Sequence, residues 1–214
     1  MASRATQNDS DWQRLMRESL LRSGGLALSL ILYAVAGFTL LSLLSYTATD
    51  NAFSAAAAGA EGNWMGQAGA YVADALLFLL GWASLLLLPL VVVTAKRLWI
   101  AESLSGLKRQ IALTLGGSFA AATGLALLTS PDSISAPAGW SGLPAMLLGR
   151  GIDALTALAG EANAPLIGGV VGVIAIALGL WLVVRALRLQ NGPRLPAIPR
   201  LGWNRKKALP APDA

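Results

Sequence analysis

Apolar positions along this chain gather into four uninterrupted blocks instead of alternating with polar ones. The blocks run from about Leu26 to Leu44, Ala75 to Ala95, Ile111 to Leu128 and Leu166 to Val184, and no charged residue falls inside any of them. Each is roughly 18 to 21 residues long, enough at ~1.5 Å per residue to span a ~30 Å hydrocarbon core. The pattern predicts an all-α integral membrane protein with four transmembrane helices. Charges mark the edges: Arg22 before the first block, Lys96-Arg97 after the second, Lys108-Arg109 before the third, Arg185 after the fourth. The N-terminal stretch is not a signal peptide, because Ala2 to Ser23 is polar and no small-residue cleavage site follows a short apolar core.

Shorter patterns lie between the blocks. Ser10-Asp11-Trp12-Gln13 reads as a capping box, and Trp12, Leu15, Met16 and Leu20 share one helical face behind it. This predicts a short interfacial helix lying on the inner leaflet, within a cytoplasmic segment of residues 1–25. The first long connection, Ser45 to Gly69, carries no strong secondary-structure signal. The second, Thr129 to Asn163, opens on the turn signal Ser130-Pro131-Asp132. Leu148, Ile152, Leu155 and Ala159 then fall on one helical stripe. Arg150 and Asp153 interrupt this stretch, and Pro144 to Gly160 is too short to span, so an amphipathic helix at the outer surface is expected. Asp74-Ala75-Leu76-x-x-Leu79-x-Gly81 recurs as Asp153-Ala154-Leu155-x-x-Leu158-x-Gly160, either by coincidence in a Leu/Ala-rich chain or as a duplicated two-helix hairpin.

Positive charge sets the orientation. Arg4, Arg14, Arg17 and Arg22 precede the first span; Lys96, Arg97, Lys108 and Arg109 lie between the second and third. Arg185, Arg188, Arg194, Arg200, Arg205, Lys206 and Lys207 follow the fourth, leaving Arg150 alone of the 16 basic residues on the other side. The positive-inside rule then predicts N-in/C-in topology with both termini cytoplasmic. Residues 26–184 form the membrane domain. Residues 185–214, where Pro193, Pro196, Pro199, Pro210 and Pro212 interleave with Arg and Lys, form a basic Pro-rich linker, which is expected to lead to something further.

Composition agrees: of 214 residues 55% are apolar and 13% charged, with a mean hydropathy of +0.61. There is no Cys and no His, which excludes disulfides and thiolate chemistry and removes the commonest general base and metal ligand. No Gly-Lys pair exists, so a phosphate-cradling P-loop is excluded. No enzyme activity, cofactor or metal is expected of this chain. The acids nearest the bilayer are Asp74 and Asp153, which the span arithmetic places at the outer interface as cap or surface residues. Gly116, Ala120 and Gly124 in the third span, with Gly168 and Gly172 in the fourth, are spaced for close helix packing, within one chain or between chains of a homo-oligomer. Pro89 is expected to kink the second span. Trp64, Trp99 and Trp140 sit near span ends as interfacial anchors. A small transporter or channel subunit would need polar groups at depth, and the spans offer only Ser and Thr, such as Ser29, Thr39, Ser84 and Ser118.

One stretch carries a resemblance. Ser45-Tyr46, Asp50, then Asn63-Trp64-x-Gly66-x-x-Gly69-Ala70-x-x-Ala73-Asp74, Gly81 and Leu88-Pro89-Leu90 resemble the N-terminal four-helix membrane domain of the FtsK/SpoIIIE DNA translocases. Asn51 departs from the pattern, in which Pro often follows the Asp. The resemblance covers nearly the whole chain, and it implies a membrane anchor in the bacterial inner membrane, placed at the division septum and engaging other division proteins. In that family a cytoplasmic motor beyond the linker hydrolyses ATP and moves chromosomal DNA. No catalytic residue carries over to this chain, whose expected partners are the lipid bilayer and division proteins, with no direct nucleic acid contact.

Overall fold

The computed structural model describes residues 2–54, 62–130, 136–158, 160 and 163–188. The linker expected from residue 185 lies, beyond Arg188, outside the described residues, as do Pro131 and Asp132 of the expected turn. Six α-helices make up most of the fold: α1 (Ala2–Leu44), α2 (Gly66–Leu80), α3 (Leu88–Trp99), α4 (Leu107–Leu128), α5 (Leu143–Ala157) and α6 (Ala164–Arg188). A 3₁₀ segment, Gly81–Leu87, joins α2 to α3, and a short extended segment β1 (Pro137–Trp140) precedes α5. Among the described residues four segments are long and apolar enough to cross a bilayer: Leu15–Leu44, Gly66–Trp99, Leu107–Leu128 and Ala164–Arg188. The chain is a multi-pass membrane protein.

Its packing follows from having lipid as solvent. Large side chains such as Leu28, Leu30, Ile31, Val35, Val170 and Ile174 are exposed, while the buried core is built of Ala and Ser with a few Leu and Val. Lipid tails are as apolar as Leu, so helices associate by close van der Waals contact and hydrogen bonds, which small residues permit. α1 packs on α3, where the Ser29 hydroxyl donates to the Ala95 carbonyl at 2.7 Å. α4 packs antiparallel on α6 through glycine. A Cβ on Gly117 would come within 2.7 Å of the Gly179 carbonyl oxygen, and one on Gly124 within 2.5 Å of that of Gly172. Between the two pairs, Arg97 turns inward from the end of α3 and donates from Nη1 to the Gln110 Oε1 of α4 at 3.4 Å. Its Nε lies 3.7 Å from Glu102 Oε2.

Four expectations need correction. The interfacial helix is not separate: α1 continues from Ala2 into the membrane span without a break, and Ser10 lies inside the helix instead of capping it. The second span does not begin near Ala75 but at Gly66, and it is not one regular helix. The kink expected at Pro89 falls at Gly81, whose φ of +59° and ψ of −152° end α2. Pro89 instead sits in the first turn of α3, where its missing N–H leaves no bond unmade.

The fourth correction concerns the connection between α4 and α6. The chain does not stay at the surface: β1 and Ser141-Gly142 descend beside α2 to the break in the second span. A Cβ on Gly142 would lie 2.6 Å from the Gly81 nitrogen and 2.8 Å from that of Leu80. α5 starts there and climbs back alongside α4. Ala145 in its first turn joins Ala83, Ala121 and Ala122 in one buried cluster, and Gly149 faces Ala126. Ala122 is about 9 Å along the axis from the end of α4 at Leu128. Non-helical backbone at such depth is tolerated only where protein covers it; Ala138, Gly139, Ser141 and Gly142 are all buried.

Candidate functional site

The residues that carry the sequence resemblance converge on one structure, a cap over the ends of α1 and α2. α1 ends at Leu44, and the Ser45 hydroxyl then holds the chain by donating to the Leu41 carbonyl at 2.7 Å. The same oxygen accepts the Trp64 backbone N–H at 3.0 Å, tying the far end of the connection to α1. Asn63 makes a second tie: its Nδ2 donates to the Ser42 carbonyl at 2.9 Å, and its Oδ1 accepts the Met65 N–H at 3.0 Å. Gly69 must be glycine because a Cβ there would run into the Asn63 side chain and Met65. Below this, Leu43, Ala73 and Leu77 form a buried cluster with Tyr46, Leu76, Trp82 and Leu85 against it.

Two carboxylates lie inside the cap. Asp50 is 2% exposed and Asp74 1%. Asp50 Oδ1 accepts the Gly62 N–H at 2.7 Å, while its Oδ2 is buried with no hydrogen-bond partner. Asp74 accepts from Ser54 twice, from the backbone N–H at 2.9 Å and from the hydroxyl. Asp74 is therefore not the exposed surface residue expected. α2 begins at Gly66, so Asp74 sits in its third turn, with Ser54 bonded over it. Beside it is a pocket of about 340 Å³ lined by Phe53, Ser54, Asp74, Ala75, Phe78 and Leu79. Phe53 stacks edge-on against Tyr71 with ring centroids 4.8 Å apart. Asp153 lies elsewhere: it is exposed on α5, with Oδ1 3.3 Å from where a Cβ on Gly168 would stand.

The Tyr46 hydroxyl reports on this environment. Burial first, then the charges of Asp74 and Asp50, push its pKa from 10.0 up to about 12. The folded state therefore keeps a proton that the unfolded chain gives up. Stability from Tyr46 is complete below pH 10 and is lost as pH rises through about 12. We expect alkaline unfolding in detergent, followed by circular dichroism, to steepen in that window, and Tyr46→Phe to flatten the steepening. An unchanged slope in the variant would exclude Tyr46 as the source.

The packing residues read from the sequence are placed unevenly. Gly124 and Gly172 face each other across α4 and α6, and Ala120 is half-buried. Gly168 is buried beside Asp153. Gly116 is a correction: it is exposed, with open space where a Cβ would sit, and the close approach belongs to Gly117 with Gly179. Adjacent glycines made the register ambiguous. The clue was the seven-residue spacing, 117 to 124 and 172 to 179, which places two contacts on one antiparallel seam.

The family model for the 4TM region of DNA translocase FtsK/SpoIIIE matches residues 22–190. The chain belongs to that family. Comparison with curated proteins and with solved structures gave no match. The match takes in the first span from Arg22 onward and the other three spans whole, with the cap and the descending arm, so this FtsK/SpoIIIE 4TM region is the membrane region of such a translocase and not its ATPase motor.

Proposed function

We propose that this chain is the membrane anchor of a cell-division DNA translocase, holding the motor of that family at the septum of a bacterial inner membrane. The observation that carries the reading is the family match over residues 22–190. Both termini face the cytoplasm, which the placement of Lys and Arg supports. The cap over α1 and α2 and the α5 helix then face outward, where they meet other division proteins. Residues 185–214 connect the membrane domain to the motor. The chain itself hydrolyses no ATP and makes no direct contact with nucleic acid.

A C-terminal fluorescent fusion of residues 1–214, imaged in dividing bacteria that keep their own translocase, tests this. A band at mid-cell is expected, and it would mean that septal targeting needs no motor. An even membrane outline would remove septal targeting from these residues. A small transporter or channel subunit would then be the next reading, and its starting point is the buried hydroxyls of Ser84, Thr114 and Ser118, none of which has a hydrogen-bond partner.

A further inference from the structure

The turn between α3 and α4 gathers hydrogen-bond donors that lack acceptors. Arg97, near the end of α3, is 6% exposed, and Gln110, in the first turn of α4, is 1% exposed. The bond from Arg97 Nη1 to Gln110 Oε1, at 3.4 Å, sets the guanidinium beside the N-terminus of α4. Arg97 Nε and Gln110 Nε2 are nevertheless buried with no hydrogen-bond partner. The helix end adds further donors. Its N-cap, Gly106, has no side chain to offer, and the N–H groups of Lys108 and Arg109 meet no backbone acceptor among the described residues. A helix N-terminus left open in this way carries about half a positive charge.

Charge here runs the same way. Residues 96–110 hold four basic side chains, Lys96, Arg97, Lys108 and Arg109, against one acid, Glu102. Glu102 Oε2 lies 3.7 Å from Arg97 Nε, beyond hydrogen-bond distance, and its side chain is 53% exposed. An oxyanion thus stands beside the buried guanidinium without satisfying it, and Gln110 Nε2 is left unmet. A phosphate has several oxygens, so it can take Nε and a second donor together in the fork geometry that suits Arg. The α4 N-terminus adds its field to the attraction. Entry needs the Glu102 carboxylate to swing aside from the turn, so acid and ligand compete for one place. Trp99 and Ile100, each 51% exposed, flank the site with the aromatic and apolar surface that suits the headgroup level of a bilayer. The nearest source of phosphate is therefore a lipid headgroup.

We propose that the α3–α4 turn binds one phosphate group, presented by an anionic phospholipid of the adjoining leaflet. Arg97 is its principal ligand, Gln110 and the α4 N-terminus complete the site, and Glu102 is a built-in competitor. Because Arg97 lies between the α1–α3 and α4–α6 pairs, a headgroup held there links the two pairs from the membrane surface.

The test uses the whole chain in detergent micelles carrying phosphatidylcholine, to which phosphatidylglycerol is added, with the lipid retained per chain counted by native mass spectrometry. About one phosphatidylglycerol per chain should be held above the phosphatidylcholine background. Arg97→Gln should weaken that binding about tenfold or more. Glu102→Gln, at an exposed position that keeps the test open where Arg97→Gln does not fold, should tighten it about three- to tenfold. Arg188→Gln removes the same charge as Arg97→Gln from an exposed position at the end of α6 and should change binding by less than about twofold. Equal weakening in Arg97→Gln and Arg188→Gln would reduce the effect to general attraction between basic residues and anionic lipid, and would overturn the proposal. So would unchanged binding in Glu102→Gln, the mark of an ion pair with a structural role alone. Inorganic phosphate in large excess should not displace the lipid; displacement would overturn the lipid source in favour of a soluble phosphate. Neither septal targeting nor a motor enters the measurement, so it fails or succeeds apart from the anchor reading.

Discussion

Gly117→Ala should force α4 and α6 apart, while the same substitution one residue earlier, Gly116→Ala, should make the chain slightly more stable. At Gly117 the new methyl would lie 2.7 Å from the Gly179 carbonyl oxygen and 2.9 Å from Val183 Cγ2. The first of these is backbone, which cannot move aside unless the whole helix shifts. Overpacking of this kind costs about 1 to 3 kcal/mol. Here we expect the upper end, because the contact lies on the most extensive helix pair in the domain. At Gly116 nothing lies within 4 Å, so alanine gains helix propensity of about 0.5 to 1 kcal/mol with no clash. Unfolding by SDS from detergent micelles, followed by circular dichroism, separates the two. Equal midpoints for the neighbouring variants would mean that the α4–α6 seam is misplaced by a residue. Gly179→Ala should match Gly117→Ala, since its methyl would stand 2.5 Å from the Gly117 carbonyl oxygen.

The second large effect is expected where the descending arm meets the broken span. Gly81 (φ +59°, ψ −152°) and Gly142 (φ +76°, ψ +160°) both occupy backbone conformations that are essentially restricted to glycine. Each would also place a Cβ against the other segment's backbone: that of Gly81 into the Trp140 carbonyl, that of Gly142 into the Gly81 and Leu80 nitrogens. Strain and clash add, so Gly81→Ala or Gly142→Ala should lose about 3 kcal/mol or more. The same SDS titration reads this, with Gly37→Ala as control, since Gly37 in α1 has nothing within 4 Å of a Cβ. A midpoint unchanged from that control would show that β1 does not seat against the break. The two substitutions together should cost less than their sum, because both disrupt one crossing.

The four spans were legible because burial in lipid leaves a coarse signal, a run of about 20 uncharged residues, that survives any detail of packing. The corrected features depend on contacts between distant parts of the chain. Gly81 reads as one more glycine in a Leu-rich run until Trp140 and Gly142 are brought beside it, 59 and 61 residues later in sequence. Asp74 read as a cap or surface residue because counting back from Lys96 places it near the end of a span, and that count does not show Ser54, 20 residues earlier, bonded over it. The motif residues of the cap stood out in sequence, yet their ties run between Ser42 and Asn63, Asp50 and Gly62, and Ser54 and Asp74, pairings that spacing alone does not reveal. The Asp-Ala-Leu-x-x-Leu-x-Gly repeat has a local physical meaning: in each copy a 15-residue helix, α2 or α5, closes down toward a positive-φ glycine, Gly81 or Gly160, before the chain enters α3 or α6. Asp74 is buried and Asp153 exposed, so the matching letters do not mark equivalent sites.

α1 runs unbroken for 43 residues, about 65 Å at 1.5 Å per residue and roughly twice the thickness of the hydrocarbon it crosses. A rod of that length works as a lever. Trp12, Leu15, Met16 and Leu20 are exposed on its outlying half, while the Ser29–Ala95 bond fixes it to α3 near the middle. A sideways pull on the Trp12 end is therefore delivered as torque on the α1–α3 pair, and through the end of α1 to the cap that Ser42 and Ser45 hold in place.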